Sequence, residues 1–279
     1  MELTTGIQIY FAVLAFILGA VFGSFLNCMA WRLAHHESVL KGRSHCPSCG
    51  HTLGAADLVP VASYIFLRGK CRYCRAKISP LCLVTEVVCG AGFVVSFLRF
   101  GLSLRTLQVI VLFCILFVLS LVDLETYEIP DRFIAAGIVW YLATSWIPGR
   151  RLNLAGLTVE MLDAGQGMSF SVWGMNLAAG LIGAFSIGGG MLLLSLVFDR
   201  LLGKESMGGG DIKLYFMTGL YLGLAKGFVS LILSCIIGLV FAAVMKARRI
   251  PFGPAISIAA FISLLWGEHF VNWYLSLIM

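Results

Sequence analysis

Charge is what this sequence has least of. Only 12% of its 279 residues are charged, 59% are apolar, and the mean hydropathy is +0.95. A soluble domain carries about 25% charged residues and hides its apolar ones in a core. Half that density leaves too little polar surface to cover a globule of this length. A soluble enzyme, a disordered chain and a secreted disulfide mini-protein are thereby excluded, and a polytopic helical membrane protein remains. The first residues, MELTTG, carry an acid and no base. The basic start of a cleaved signal peptide is therefore lacking, and the first apolar segment is expected to stay as an anchor. There is no internal repeat and no low-complexity tract. The 31 glycines and 7 prolines are better tolerated in membrane helices than in soluble ones.

The net charge of +6 is concentrated in one place. Residues 32–80 hold Arg32, Lys41, Arg43, Arg68, Lys70, Arg72, Arg75 and Lys77 against Glu37 and Asp57 alone. That stretch carries the whole excess. A basic segment in a hydrophobic protein faces the cytoplasm and anionic headgroups. No series of base-stacking aromatics accompanies the charge, so nucleic acid is not expected as a partner.

Apolar runs of about 17–25 residues can cross a bilayer as helices. Eight are expected: 6–31, 80–98 (interrupted by Glu86), 106–122, 133–149, 176–198, 214–225, 227–245 and 250 to the end. With the N-terminus outside, the inner connections hold fifteen Lys/Arg and the outer ones five. This bias places both termini outside and residues 32–80 in the cytoplasm. The expected class is an all-α polytopic membrane protein with about eight transmembrane helices and a small cytoplasmic domain. Its parts are a first helix over 1–31, a zinc-binding domain over 32–80 and a transmembrane core over 81–279. Residues 148–175 read as an outer loop rich in Gly and Ser, and 199–213 as an inner loop.

The nine cysteines divide in two. Cys28, Cys82, Cys89, Cys114 and Cys235 lie singly in or beside apolar runs and read as small buried packing residues. The others form Cys46-Pro-Ser-Cys49 and Cys71-Arg-Tyr-Cys74. Each C-x-x-C knuckle turns both sulfurs to one centre, and two knuckles complete a tetrahedral four-thiolate zinc site. The cytoplasmic placement disfavours disulfides. Four protein ligands leave no open position, so the Zn2+ would be structural. It would supply folding free energy that a short segment with few large apolar residues lacks. His45 and His51 flank the first knuckle and could substitute as ligands or orient them, although solvated positions suit them better.

Carboxylates at the edge of a span are costly and need a reason. The third span runs into Asp123, Glu125, Glu128 and Asp131, with Pro130 delaying the next helix. Asp123 follows an unbroken apolar run and sits furthest toward the bilayer. Glu125 and Glu128 are expected at the solvated interface, and Asp131 could cap the fourth helix. The second place is Met207-Gly-Gly-Gly-Asp211-Ile-Lys213. Its glycines allow close backbone approach. Asp211 reads either as a helix N-cap or as a functional carboxylate. Under one topology Asp123 and Asp211 fall on the same inner side. Two carboxylates sharing a low-dielectric site hold one proton between them, as an aspartic peptidase requires: one activates water, and the other donates to the scissile carbonyl.

At this point the residues resemble the bacterial type IV prepilin leader peptidases, polytopic aspartic peptidases of the Gly-x-Gly-Asp class. The resemblance covers nearly the whole chain in six ordered blocks. Gly23-Ser-Phe-Leu-Asn27 with Arg32 resembles the end of the family's first span. The two cysteine knuckles, with Pro60-Val-Ala-Ser63 and Leu67-Arg-Gly-Lys-Cys-Arg72 between them, resemble its metal domain. Glu86 occupies the place of a family glutamate. Asp123 through Asp131, Glu205 through Leu214, and Ile250-Pro-Phe-Gly-Pro254 resemble its later blocks. Two departures stand out: Ala-His-His where a proline often follows Arg32-Leu33, and a longer loop over 148–175.

The resemblance implies that Asp123 and Asp211 are the catalytic pair. It implies removal of a basic leader from a prepilin or pseudopilin after a glycine, in the bacterial inner membrane and against membrane lipid. It further implies N-methylation of the new terminus with S-adenosylmethionine as donor. No glycine-rich Rossmann fingerprint locates that donor. The acidic group Glu125, Glu128 and Asp131 could attract the basic leader. An ion-coupled transporter with intramembrane carboxylates is the alternative, and a scaffold docking through its zinc domain is another. The transporter does not explain the knuckles, and the scaffold does not explain the aspartates.

Overall fold

A computed structural model describes residues 5–39, 42–147, 152–154, 157–159, 170–203, 207–245 and 250–278. Two compact units divide the chain, Met1–Glu125 and Thr126–Met279.

The first unit is built on α1 (Thr5–Ala34), α3 (Pro80–Phe100) and α4 (Leu104–Thr126). Between α1 and α3 lie a 3-10 turn (Ala55–Asp57) and the short α2 (Ala62–Phe66). Lipid supplies no hydrophobic drive for helices to pair, so they associate where small residues let backbones meet. Gly19 and Gly23, four apart on α1, do this. A Cβ on Gly19 would lie 2.7 Å from the Cys89 carbonyl oxygen, and one on Gly23 would lie 2.8 Å from that of Thr85. Asn27 Nδ2 reaches Cys82 Sγ at 3.6 Å. Numbers rise on α1 as they fall on α3, so the pair is antiparallel. At the end of α1 the buried Arg32 guanidinium donates to the carbonyls of Ser38, Val39 and Gly42 at 3.3–3.4 Å, folding the chain back. Ser79 caps α3 by accepting from Leu81 N–H at 3.3 Å, with Pro80 at its first position.

The second unit holds α5 (Asp131–Thr144), strands β1 (Leu152–Leu154) and β2 (Leu157–Val159), α6 (Phe170–Ala184), α7 (Gly190–Leu202), α8 (Gly209–Met245) and α9 (Gly253–Ile278). A π-turn over Phe185–Gly189 joins α6 to α7. The strands pair antiparallel, Leu152 opposite Val159. α8 breaks at Gly223 (φ 69, ψ −169). Its two arms fold back on each other, because Tyr215 Oη and Ser234 Oγ are 2.5 Å apart. In a straight helix those residues would be about 28 Å apart. The hinge rests on backbone contact with α6. A Cβ on Gly183 would lie 2.5 Å from both the Gly219 carbonyl oxygen and Gly223 Cα. Gly183→Val is therefore expected to lower the midpoint of thermal unfolding in detergent, by a cost of about 1–3 kcal/mol or more. Gly174→Ala, with nothing within 4 Å of its Cβ, is expected to leave the midpoint unchanged or raise it. Equal behaviour of the two would remove the close contact as a source of stability.

Among the described residues, six stretches are long and apolar enough to cross a membrane: Thr5–Ala34, Pro80–Phe100, Leu104–Thr126, Trp173–Leu202, Gly209–Val244 and Gly253–Leu277. Among the described residues the chain is helical apart from the β1–β2 hairpin, and it is a multi-pass membrane protein. The expected count of about eight spans is not confirmed by these six stretches, one of which, Gly209–Val244, holds both folded-back arms of α8. The run 133–149 yields a helix of 14 residues, ending at Thr144. At about 21 Å it is shorter than a hydrocarbon core of about 30 Å. Its end is closed by side chains, with Trp146 Nε1 on Ala143 O at 2.7 Å and Asn176 Nδ2 on Ser145 O at 2.9 Å. The runs 214–225 and 227–245 both fall on α8, whose two arms meet at Gly223. The hairpin β1–β2 lies inside the expected loop 148–175. The rest of that loop up to residue 169, together with residues 204–206, falls outside the described residues. Of the five single cysteines, Cys89 is fully buried, whereas Cys28, Cys82 and Cys114 are half-buried and Cys235 is exposed. Cys235 is therefore not a core residue, because its arm of α8 turns that face outward.

Candidate active site

The two knuckles repeat one local design. Gly50 N–H donates to Cys46 O at 2.8 Å, and Arg75 N–H to Cys71 O at 3.0 Å. Gly50 and Arg75 hold the same left-handed conformation, φ 69 and 61. Isolated bridges close each turn, His45 to Thr52 and Lys70 to Lys77. The turns bring all four sulfurs within 4.8 Å of one another, and Cys46 Sγ lies 3.9 Å from Cys74 Sγ. Four sulfurs around a zinc ion at about 2.3 Å would stand about 3.8 Å apart. A disulfide would need about 2.05 Å, and all nine cysteines are free thiols. Cys46, Cys49, Cys71 and Cys74 thus form a cluster that can hold a metal ion.

Electrostatics inside the cluster are uneven. Burial pushes the Cys46 thiol up, but the backbone N–H groups of Cys49 and Ser48 and the neighbouring sulfurs outweigh it and bring it down to about 6. The backbone N–H of Ala76 lowers Cys74, yet burial and the sulfurs of Cys49, Cys71 and Cys46 push it up to about 11. Four crowded sulfurs share protons unequally, and a soft divalent cation among them would hold all four as thiolates. Neither histidine joins them. His51 stacks on Tyr73 with ring centroids 3.6 Å apart, and His45 meets the edge of Trp31 at 6.5 Å.

Asp57 ties the loop between the knuckles to the second knuckle. Its carboxylate accepts from Gly54 N–H at 3.1 Å, Arg72 Nε at 2.6 Å and Tyr73 Oη at 3.0 Å. Burial raises its pKa, but these donors prevail and hold it below the usual carboxylate range. The stabilisation is therefore present above the ordinary carboxylate pKa and is lost as pH falls through the lowered value. Asp57→Asn is expected to speed release of bound metal to a chelator several-fold at neutral pH. An unchanged release rate would show that Asp57 does not support the knuckles.

The acidic positions divide between the units. Asp123 lies in the last turn of α4, 4% exposed, while Glu125 and Glu128 are exposed, as the sequence suggests. Glu125 Oε1 lies 3.7 Å from His35 Nδ1, beyond the end of α1. In the second unit, Asp131 is the first residue of α5 behind Pro130, so it is not the cap. Its carboxylate receives Lys213 Nζ at 2.7 and 2.8 Å. Gly210 faces Ile129, since a Cβ there would stand 3.0 Å from Ile129 Cβ. Asp211, half-buried, is the third residue of α8, with its N–H on Gly208 O at 3.1 Å. The N-cap reading of Asp211 is thereby replaced, because the helix starts two residues earlier. The structure thus joins Ile129–Asp131 to Gly210–Lys213.

Several polar groups escaped the sequence reading. Buried Asn176 bonds Ser145 O and takes Tyr141 Oη on its own carbonyl at 2.7 Å, and Tyr221 Oη reaches Gly137 O at 2.6 Å. A lone asparagine in an apolar run was the available signal. Glu86, already singled out, accepts from Val61 N–H at 2.7 Å.

Comparison with known proteins decides what this arrangement belongs to. The profile described as Bacterial Peptidase A24 N-terminal domain matches residues 17–100, and that of the Type IV leader peptidase family matches residues 110–243. A prepilin leader peptidase/N-methyltransferase of Pseudomonas putida is 32% identical over 93% of this chain and 92% of its own length. The chain belongs to the type IV leader peptidase family. The protein of that name from Neisseria gonorrhoeae is 31% identical over 95% of this chain and 96% of its own. The Bacillus subtilis (strain 168) one is 29% identical over 94% and 97%. No solved structure matches this chain. The chain is therefore an enzyme, a leader peptidase whose full-length relatives also bear a methyltransferase name, and the first matched region contains the four-cysteine cluster.

Proposed function

We propose that this leader peptidase is a membrane aspartic endopeptidase with Asp123 and Asp211 as its catalytic carboxylates. It removes the basic leader of a type IV prepilin or pseudopilin after a glycine. It then methylates the new N-terminal amine with S-adenosylmethionine. The observation that carries the reading is the junction of Ile129–Asp131 with Gly210–Lys213. Asp123 lies six residues before Ile129, and Asp211 directly follows Gly210. One carboxylate takes a proton from water as the water attacks the scissile carbonyl. The other carries the shared proton and donates it to the carbonyl oxygen; the tetrahedral adduct then collapses, the peptide C–N bond breaks, and the proton taken from water passes to the leaving amine. Glycines at 208–210 keep side chains out of the approach.

In this reading residues 1–31 anchor the chain, 32–80 form a cytoplasmic domain with Zn2+ on Cys46, Cys49, Cys71 and Cys74, and 81–279 form the peptidase core in the bacterial inner membrane. Both termini lie outside. The Lys/Arg asymmetry supports this orientation. The zinc would hold the knuckles together and supply no reaction step.

The reading is tested by incubating purified enzyme with a prepilin peptide, with and without S-adenosylmethionine. Cleavage is expected in both, and a methylated terminus only with the donor. No cleavage by folded enzyme in either would refute the peptidase assignment. Cleavage without methylation in the presence of donor would refute the second activity alone.

A further inference from the structure

Residues 58–67 present an apolar surface where a soluble loop would be polar. Leu58, Val59, Ile65 and Phe66 are all exposed, Phe66 at 84%. Their depth is fixed by the Val61 N–H bond to Glu86 Oε2. Glu86 is the seventh residue of α3, about 9 Å along the axis from its start. On the same turns Val84, Val87 and Val88 are exposed and apolar, as lipid-facing residues of a span are. The start of α2 is thus held level with a lipid-facing part of α3. Val61 adopts φ 62 to make this bond, a conformation that β-branched residues avoid. The attachment is imposed by the fold.

Cations follow the apolar stretch directly. Arg68, Lys70, Arg75 and Lys77 are exposed, and among the described residues none pairs with a carboxylate; Arg72 takes Asp57. Apolar side chains about 5–10 Å into the boundary, with Lys and Arg above them, are the chemistry of an interfacial element on anionic lipid. A basic leader peptide would be repelled by the same cations. We propose that residues 58–67 insert into the bilayer interface beside α3, with Arg68, Lys70, Arg75 and Lys77 binding anionic phospholipid headgroups. The metal domain is then seated on the membrane as well as tethered to it.

The full chain in lipid nanodiscs tests this, with phosphatidylglycerol and phosphatidylcholine in equal amounts. Photoreactive benzoylphenylalanine replaces Phe66 or, in a second variant, Ile65. Leu193, 66% exposed on α7, serves as the lipid-facing reference, and Ser48, exposed in the first knuckle, as the water-facing one. Mass spectrometry is expected to find lipid adducts at 65 and 66 at the level of 193 and well above 48. The adducts should be enriched in phosphatidylglycerol. Replacing the four cations with Gln is expected to abolish that enrichment, by up to about fivefold for each charge. Adducts no more frequent than at 48 would overturn the insertion. Cross-links to the chain itself, or to an added prepilin peptide, would show that this surface docks protein instead. Equal use of the two lipids would overturn the headgroup assignment.

Discussion

Asp123→Asn and Asp211→Asn are each expected to lower leader cleavage by about a hundred- to ten-thousandfold, the usual share of a general acid or base. Asparagine keeps the shape of the side chain and can neither take the proton of water nor give one to a carbonyl. Asp123 is 4% exposed at the end of α4, so a polar group of the same size avoids opening a cavity there. Thermal unfolding in detergent should be little changed, which separates loss of chemistry from loss of fold. Asp131→Asn is the informative contrast. It removes the charge that faces Lys213, but those side chains are 70% and 54% exposed, and an exposed ion pair is worth about 0–1 kcal/mol. Most activity should survive. If either Asn variant at 123 or 211 cut at the unmodified rate, that residue would leave the mechanism.

The second large effect concerns the metal. Across 42–79 the only buried residues are Cys46 and Cys71. A segment with no apolar core cannot offset the entropy of ordering its chain by burial. Structural zinc sites supply about 10–16 kcal/mol of apparent binding free energy in small peptides, enough to fold such a segment. Cys46→Ser or Cys71→Ser is expected to remove the bound zinc and render this segment protease-sensitive, while the helices of the spans stay intact. Metal analysis of protein purified without chelator should give one zinc per chain. No zinc in that preparation, or a serine variant as protease-resistant as the unmodified chain, would contradict the assignment.

The cysteine site was legible because its geometry is local. A C-x-x-C turn sets the direction of its own sulfurs, and two such turns need only meet. Helical membrane class was legible for an equally simple reason, since hydropathy and length suffice. Boundaries were not. The run past Thr144 carries no charge until residue 150, so hydropathy cannot see that Trp146 and Asn176 close α5 through backbone carbonyls. The break in α8 falls at Gly223, whereas Lys226 was the visible interruption. That charge is met by Glu268 of α9 at 2.5 Å, a pairing across 42 residues that no local pattern announces. Gly23 stood out only as part of a motif, and its close approach to α3 depends on a partner helix. The positive φ of Val61 runs against its side-chain preference and could not be read from sequence at all. For Asp211 a helix cap was the lesser reading beside a functional carboxylate, and the start of α8 at Gly209 removes it.

The most direct measurement is the separation of the Asp123 and Asp211 carboxyl groups in an experimental structure of the enzyme in lipid with a bound substrate peptide. Two groups that each hydrogen-bond the same water lie no more than about 6 Å apart, oxygen to oxygen. A value in that range, with water between them, is the predicted result. Carboxyl groups held on opposite sides of the helices, with substrate bound elsewhere, would contradict the account.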